Sequence, residues 1–556
     1  MTTSQLVQLK SGGKKLPPPQ RPFLPTTVEE AKARGWDELD VVLVSGDAYI
    51  DHPAFGAAVI GRVLEAAGYR VGILPQPDWR SAEPFRALGK PRLFFGITSG
   101  NMDSMVNHYT AHKRKRGNDA YSPDGEAGLR PDRATTVYSH RCREAFKDVP
   151  IVIGGVEASL RRLAHYDYWD DKLRRSVIFD AKADLVVFGQ GEKPILEVAR
   201  RFAEGRKAAE IDDVPGIAFI RKSWDDLLAK WPGRELLELP SFEDVVASKE
   251  TYARFSRLYH LEHNPENARI LVQKHGDRAV VVLPPMRNPT TEELDRIYAL
   301  PYARAPHPRY GGRRIPAWDQ IKFSVHVLRG CSAGCSFCCI TEHQGRDVAS
   351  RSEENVLEEI REITQMPDFK GTISDIGGAT ANMWQMECSK PDWHAVCRRQ
   401  SCVYPSICPA LNVNHKPLIE LYKKARATPG VKHAFVASGL RYDLAHHDQA
   451  HGQEYLKELI QKHVSGQLKI APEHVAPQVL KVMKKPGPEQ FEQFRDEFEK
   501  YSGEAGKEQY LVPYFISSHP GCDLKDTAIL HDYLQSNGWK PQQVQDFMPT
   551  PITLTT

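Results

Sequence analysis

From about residue 35 onward, short and nearly uninterrupted apolar runs alternate with longer segments whose apolar residues recur at helical spacing. The runs Val41 to Ser45, Val71 to Leu74, Leu93 to Ile97, Ile151 to Gly154 and Leu185 to Phe188 read as strands buried on both faces. Helix patterns such as Gly56 to Ala67 fall between them. A parallel neighbour can be reached only by a crossover, so this alternation predicts a parallel sheet, a Rossmann-like domain over residues 35–210. The first strand runs into Ser45-Gly46-Asp47, which puts the loop at Asp51-His52-Pro53 near the carboxyl edge where such sheets bind ligands; a helix cap and a turn are the plainer alternative. No GxGxxG occurs there, so a nicotinamide dinucleotide site has little support.

The pattern loosens over residues 211–320, read as a connector with one hairpin, Ile270 to Gln273 and Val280 to Leu283 turning at His275-Gly276-Asp277. A second alternating series fills residues 321–556, with strands at Phe323 to Leu328, Thr372 to Ile376, Ala434 to Ala437, Leu468 to Ala471, Leu511 to Ile516 and Val544 to Phe547. Glu353 to Gln365, Leu418 to Arg426 and Ala476 to Lys484 supply crossover helices. The expected architecture is α/β: a Rossmann-like sheet followed by a partial (β/α)6 barrel of the TIM type. Residues 1–34, rich in proline, read as a flexible tail, and the last strand falls close to the final residues.

Composition narrows the picture. Lysine plus arginine (74) nearly balance aspartate plus glutamate (71), so no overall field draws the chain to nucleic acid or membrane. No signal peptide and no membrane span is evident, which makes a soluble cytoplasmic protein the expectation. Of the 10 cysteines, all but Cys142 and Cys522 lie between Cys331 and Cys408, a clustering that suits metal thiolates in a reducing compartment better than disulfides. Cys142 and Cys522 read as buried structural thiols.

The chemistry-bearing motif follows the first strand of the second series: Arg329-Gly330-Cys331-Ser332-Ala333-Gly334-Cys335-Ser336-Phe337-Cys338, a CxxxCxxC at the carboxyl end of a strand, where barrel active sites sit. Three thiolates can hold three irons of a four-iron, four-sulfur cluster and leave the fourth without a protein ligand. The chemically sensible occupant is S-adenosylmethionine (SAM), which the cluster would cleave to a 5′-deoxyadenosyl radical. The alternatives are structural zinc, with His343 as the fourth ligand, or unliganded thiols. Phe337 before the last cysteine and the pair Gly377-Gly378 after the next strand fit the radical SAM pattern.

With these residues the blocks RGCSAGCSFCCITEHQGR, SDIGGATANM, SCVYPSICP, VASGLRYD, LKIAPEHV and PYFISSHPG resemble the YgiQ family of radical SAM proteins over nearly the whole chain. The resemblance implies an N-terminal domain similar to cobalamin-binding domains and a radical SAM barrel. It implies Cys331, Cys335 and Cys338 as cluster ligands, and Gly377 and Gly378 as letting the backbone approach the SAM amino group. Ala379 and Thr380 stand where the superfamily usually has an acid. Ser438 and Arg441 are candidates for the SAM ribose or carboxylate, with a salt-bridge arginine as the alternative, and Glu473 is a similar candidate or a helix cap. Reductive cleavage calls for an electron donor of flavodoxin or ferredoxin type.

Cys388, Cys397, Cys402 and Cys408 form a second group, open to an auxiliary iron-sulfur cluster, to zinc, or to separate buried thiols; Cys339 reads as packed. Asp51-His52-Pro53-Ala54-Phe55-Gly56 fails the DxHxxG of histidine-on cobalamin domains. Gly154-Gly155 and residues 184–192 do resemble the later turns of that domain type, so cobalamin without a histidine ligand stays open, as does a domain that binds something else or nothing. The basic run Lys113 to Arg116 reads as a solvated loop or a phosphate contact, which keeps RNA among the open substrates. His343 to Arg346 are expected to overlook the site mouth. The expected function is a radical SAM enzyme acting on an unknown substrate, against a cobalamin-dependent radical methyltransferase or a non-catalytic metal-binding module.

Overall fold

The computed structural model describes Leu6 and residues 16–540 and 544–556. Nine strands form one sheet, in the spatial order Leu236–Leu239, Ile270–His275, Arg278–Val282, Ile217–Arg221, Leu185–Val187, Ile151–Gly154, Phe94–Thr98, Val41–Ser45, Val71–Pro75. The last five of these are the expected parallel strands, laid in the order 2-1-3-4-5 counted along the chain. Their residues are almost wholly buried, because the helices Gly56–Ala66 and Glu192–Ala203 cover one face and Ala134–Ala145 the other. That double cover explains the continuous apolar runs.

The connector differs from its expectation. Residues 217–282 supply four further strands to the same sheet, and the antiparallel hairpin Ile270–His275 with Arg278–Val282 pairs onto Ile217–Arg221. The expected hairpin is present; what the local pattern did not carry is that it joins the same sheet as Val41–Ser45. The tail expected over residues 1–34 is also corrected in its described part. Leu24 is fully buried, Val28–Ala33 is a helix capped by Thr27, and Arg21 bonds the Tyr302 carbonyl. Residues 1–5 and 7–15 lie outside the described residues.

The second half contains parallel ladders in chain order. Ser324–His326 pairs with Asp375–Gly377, Thr372–Ile373 with His433–Ala434, Gln467–Glu473 with Tyr510–Ser517, and the end of that last strand with Val544–Asp546. No described ladder joins His433–Ala434 to Gln467–Glu473; just before the latter, the His463 carbonyl accepts the Val436 N–H and His463 Nδ1 lies 2.6 Å from the Ala434 carbonyl. The helices Glu353–Thr364, Lys416–Ala427 and Pro488–Glu504 pack outside, their buried residues merging into one core with Ile373, Ile376 and Ile470. Buried ion pairs join the halves: Arg304 and Arg351 share Glu359, and Arg329 pairs with Glu192. Among the described residues no helix is long and apolar enough to cross a membrane.

Candidate functional site

The cluster loop leaves the strand pair Leu328–Arg329 with Ala349–Ser350 and is shaped by glycine. Gly330 and Gly334 have positive φ, and a Cβ at Gly334 would stand 2.3 Å from the Gln400 carbonyl oxygen. Only glycine lets the second cysteine segment lie this close. Cys331 is buried, its Sγ 3.2 Å from the Thr380 hydroxyl, and Cys335 Sγ lies 3.7 Å from Arg441 Nη1. Burial first, and then the neighbouring thiols, push the Cys331 and Cys338 thiols up. Such protonated, desolvated sulfurs become thiolates when they meet cationic iron. Cys339 packs against the sheet domain, with its thiol raised to about 11 by burial.

Thr380, in the place where the superfamily usually has an acid, therefore touches Cys331. Gly377 and Gly378 are required by the chain's own packing: added Cβ atoms would lie 2.3 Å from Ser438 Oγ and 2.9 Å from Leu328 Cγ. Ser438 donates its hydroxyl to Asp375, which also accepts the N–H groups of Ala437 at 2.8 Å and Ser438 at 3.0 Å. Asp375 went unnoticed in the sequence; an acid just before a Gly-Gly pair was the available signal. Arg441 is buried in a bidentate pair with Asp443, with one nitrogen left toward the Cys335 sulfur, so it is no exposed salt-bridge arginine. Glu473 has φ +70° at a register shift of its strand, conformational strain of the kind active sites hold. Burial pushes its carboxyl up against the pull of Lys485, whose Nζ is 3.9 Å away and donates to the Ala471 carbonyl at 2.6 Å.

The second cysteine segment folds directly onto this loop. Cys402 N–H donates to the Ser332 carbonyl at 2.9 Å, and Ser401 Oγ to the Ala333 carbonyl at 2.6 Å. Arg346 reaches Cys397 Sγ at 3.4 Å, and burial drives the Cys402 thiol to about 11, with Arg346, Cys397 and Cys408 all near enough to act on it. Cys388 instead points its thiol at the Lys390 carbonyl. Among the described residues no three His, Cys, Asp or Glu side chains surround a common single-ion position.

Three expectations are corrected. His343 does not overlook the mouth: its Nδ1 lies 3.0 Å from Ser159 Oγ of the sheet domain, while the Gln344 carbonyl accepts from Gln190 at 3.1 Å. Asp51 is no ligand-loop residue: it is fully buried against Arg62 and accepts the Ala303 N–H at 2.7 Å. Cys522 is only half-buried, its Sγ 3.7 Å from His474 Nε2.

The sheet domain's carboxyl edge is closed. In a 2-1-3-4-5 sheet the ligand crevice opens between the first and third strands, at Ser45-Gly46-Asp47 and Thr98-Ser99-Gly100. A Cβ at Gly46 would meet the Ser99 carbonyl oxygen at 2.1 Å, and one at Gly155 the Thr98 hydroxyl at 2.4 Å. Arg130, fully buried, bonds the Ser99 carbonyl at 2.7 Å and pairs with both Asp47 and Asp119 at 3.0 Å. Glu157 accepts from Ser104 and Thr135, and Arg161 pairs with Asp103.

A three-thiol loop on a parallel strand series, joined to a doubly wound sheet, is matched by two family descriptions: radical SAM N-terminal over residues 23–324 and radical SAM superfamily over residues 325–504. The chain belongs to the radical SAM superfamily, among the proteins named UPF0313 or YgiQ. UPF0313 protein blr7973 of Bradyrhizobium diazoefficiens is 54% identical over 550 residues, covering 96% of this chain and 81% of that protein. UPF0313 protein YgiQ of Escherichia coli is 49% identical over 585 residues, covering 96% and 79%. The solved structure of OxsB, a cobalamin-dependent SAM radical enzyme with aqua-cobalamin and SAM bound, shares the fold at 12% identity and a TM-score of 0.50, covering 92% of this chain and 54% of that one.

Proposed function

We propose that the protein is an enzyme that cleaves SAM reductively at a four-iron, four-sulfur cluster held by Cys331, Cys335 and Cys338. The observation that carries the reading is the placement of His343. His343, the histidine weighed as a zinc ligand beside these thiols, is turned into the sheet domain, which favours a three-thiolate cluster over zinc. When bound, such a cluster supplies the electron that breaks a carbon–sulfur bond of SAM and yields the 5′-deoxyadenosyl radical.

The chain's own groups suit that task. Arg441 sets a fixed positive charge beside the Cys335 sulfur, and Thr380 offers a hydroxyl to Cys331, which opposes the upward push of burial on that thiol. Asp375, oriented by Ser438, together with Glu473 and Lys485, provides polar groups for the hydroxyl, amino and carboxylate functions of SAM. A donor of flavodoxin or ferredoxin type would reduce the cluster. Cys397, Cys402 and Cys408, clamped onto the loop beneath Arg346, are the candidates for a second metal.

Cobalamin, which OxsB carries, does not fit here. A corrinoid at the sheet's carboxyl edge needs an open crevice, and the Asp47–Arg130–Asp119 pairs and the Gly46–Ser99 contact occupy it. We therefore assign it no step. The test is anaerobic reconstitution with iron and sulfide, then reduction in the presence of SAM and assay for 5′-deoxyadenosine beside Cys335→Ala. Product from the wild type only is expected; none from a protein verified to hold four irons would overturn the reading.

A further inference from the structure

The basic run that read as a solvated loop is an ordered hairpin at the barrel. Tyr109 bridges Lys115, and the turn closes through Thr110 N–H on the Arg114 carbonyl (2.9 Å), Lys113 N–H on the Thr110 carbonyl (2.9 Å) and Arg116 N–H on the His108 carbonyl (2.7 Å). Its base is tied down by Asp132, which takes His108 Nδ1 and the Tyr109 hydroxyl at 2.7 Å each. Its flank is held by the Tyr168 hydroxyl on the Ala111 carbonyl, with Lys113 Nζ 4.7 Å from the Tyr168 ring centre. Its tip crosses to the other half of the molecule, where His112 Nε2 meets Asp546 Oδ2 at 2.6 Å. Asp546 ends the last barrel strand and bonds Ser517, two residues before His519, whose ring contacts Phe337 of the cluster motif. The hairpin thus stands on the carboxyl side of the barrel, the side of the cluster loop.

Lys113, Arg114, Lys115 and Arg116 are all exposed, and among the described residues none forms an ion pair. This sets them apart from their surroundings, where Arg133 and Arg174 are paired with Asp167 and Asp170. Lys113 Nζ donates to the Trp169 carbonyl at 3.4 Å, and the nearby carboxylates already hold other partners, Asp132 bonding His108 and Tyr109 with Lys115 acting on it at longer range, Asp170 pairing with Arg133 and Arg174. Four like charges fixed on one rigid turn repel one another, and a polyanion relieves that repulsion. We propose that this hairpin docks the phosphodiester backbone of a single-stranded nucleic acid, which delivers one nucleotide to the barrel. The inference rests on the site proposed above. A backbone of evenly spaced phosphates matches consecutive lysine and arginine side chains, and the nucleotide presented to a barrel interior must be unpaired.

The experiment measures fluorescence anisotropy of labelled poly-U and poly-dT with the reconstituted full chain over a salt series. Replacing all four residues (Lys113→Ala, Arg114→Ala, Lys115→Ala, Arg116→Ala) should weaken binding at least about tenfold at low salt and flatten the salt slope by about 2 to 3, since each lost phosphate contact on a single strand removes about 0.7. The charge-preserving pair Arg114→Lys with Arg116→Lys should keep most of the affinity. The poly-U and poly-dT arms separate RNA from DNA. Unchanged affinity and slope in the fourfold variant would overturn the proposal, as would equal, hairpin-dependent binding of polyglutamate or of phosphatidylglycerol vesicles. The single exposed substitution Arg114→Glu covers the case in which the fourfold variant misfolds. Uncoupled 5′-deoxyadenosine formation should be the same in every variant, so loss of binding is read separately from loss of SAM cleavage.

Discussion

Two groups of strands in this chain reach the same loop, the sheet domain through Ser159 and Gln190 and the second half through the strand Leu328–Arg329 that precedes Cys331. Strand ends of this kind are where α/β proteins bind ligands, and the two ends are built oppositely. At its edge the sheet domain sets buried arginines against carboxylates: Arg130 lies between two aspartates, and Arg161 faces Asp103. The second half instead gathers desolvated thiols at Cys331 and Cys338 and a strained, half-buried Glu473 beside Lys485. At these two ends the difference lies in how the charges are held: arginine–carboxylate pairs fill the edge of the sheet domain, whereas thiols and a strained carboxyl gather in the second half.

Removing a thiol tests the barrel half most strongly. Cys335→Ala should abolish cluster assembly, read as iron and sulfide per chain, and reduce 5′-deoxyadenosine to background. Breaking the brace comes next. Arg130→Met leaves two carboxylates buried and unpaired, so unfolding should become easier by about 3 to 5 kcal/mol, measured by denaturant titration. A loss below 1 kcal/mol would mean the carboxyl edge is open to water.

A smaller effect should follow at the seam. Ser401→Ala removes the bond to the Ala333 carbonyl and the acceptor for Val403 and Tyr404 N–H groups, which should cost about 1 to 3 kcal/mol. It should also broaden the electron paramagnetic resonance signal of the reduced cluster; an unchanged spectrum would separate the second cysteine segment from the first site.

Glu473 sharpens the comparison through pH. Its carboxyl is raised by burial, so the folded state holds that proton more tightly than the unfolded chain. Its stabilising contribution is present below the unfolded value of about 4.3 and is lost as pH rises from there through the folded value. Glu473→Gln should therefore gain stability relative to wild type as pH increases across that window; a constant difference would show that the site is wet. Last, added hydroxocobalamin should leave the thermal midpoint unchanged. A concentration-dependent rise would reopen the sheet domain as a ligand site.

Much of this protein follows from local pattern alone. Continuous apolar runs marked the strands Val41–Ser45 and Ile151–Gly154 because burial on both faces leaves no polar alternation to hide them. The CxxxCxxC was legible because cluster ligation needs thiols of one short loop, so the chemistry is written in spacing. Of the four added strands of residues 217–282, the hairpin Ile270–His275 with Arg278–Val282 was legible as two apolar runs around His275-Gly276-Asp277, but its pairing into the large sheet was not.

What the chain order does not contain is which distant groups meet. That Arg130 closes a crevice by joining Asp47 to Asp119, that His343 turns away from the thiols, that Asp375 sits under Ser438, and that a basic hairpin crosses to Asp546 are all long-range pairings. Periodicity reports the side of an element that is buried, whereas charge pairing depends on which elements the topology brings together. The sequence by itself determined the fold class and the thiol loop; only the tertiary structure decided which groups fill the sheet domain's carboxyl edge and which meet at the thiol loop.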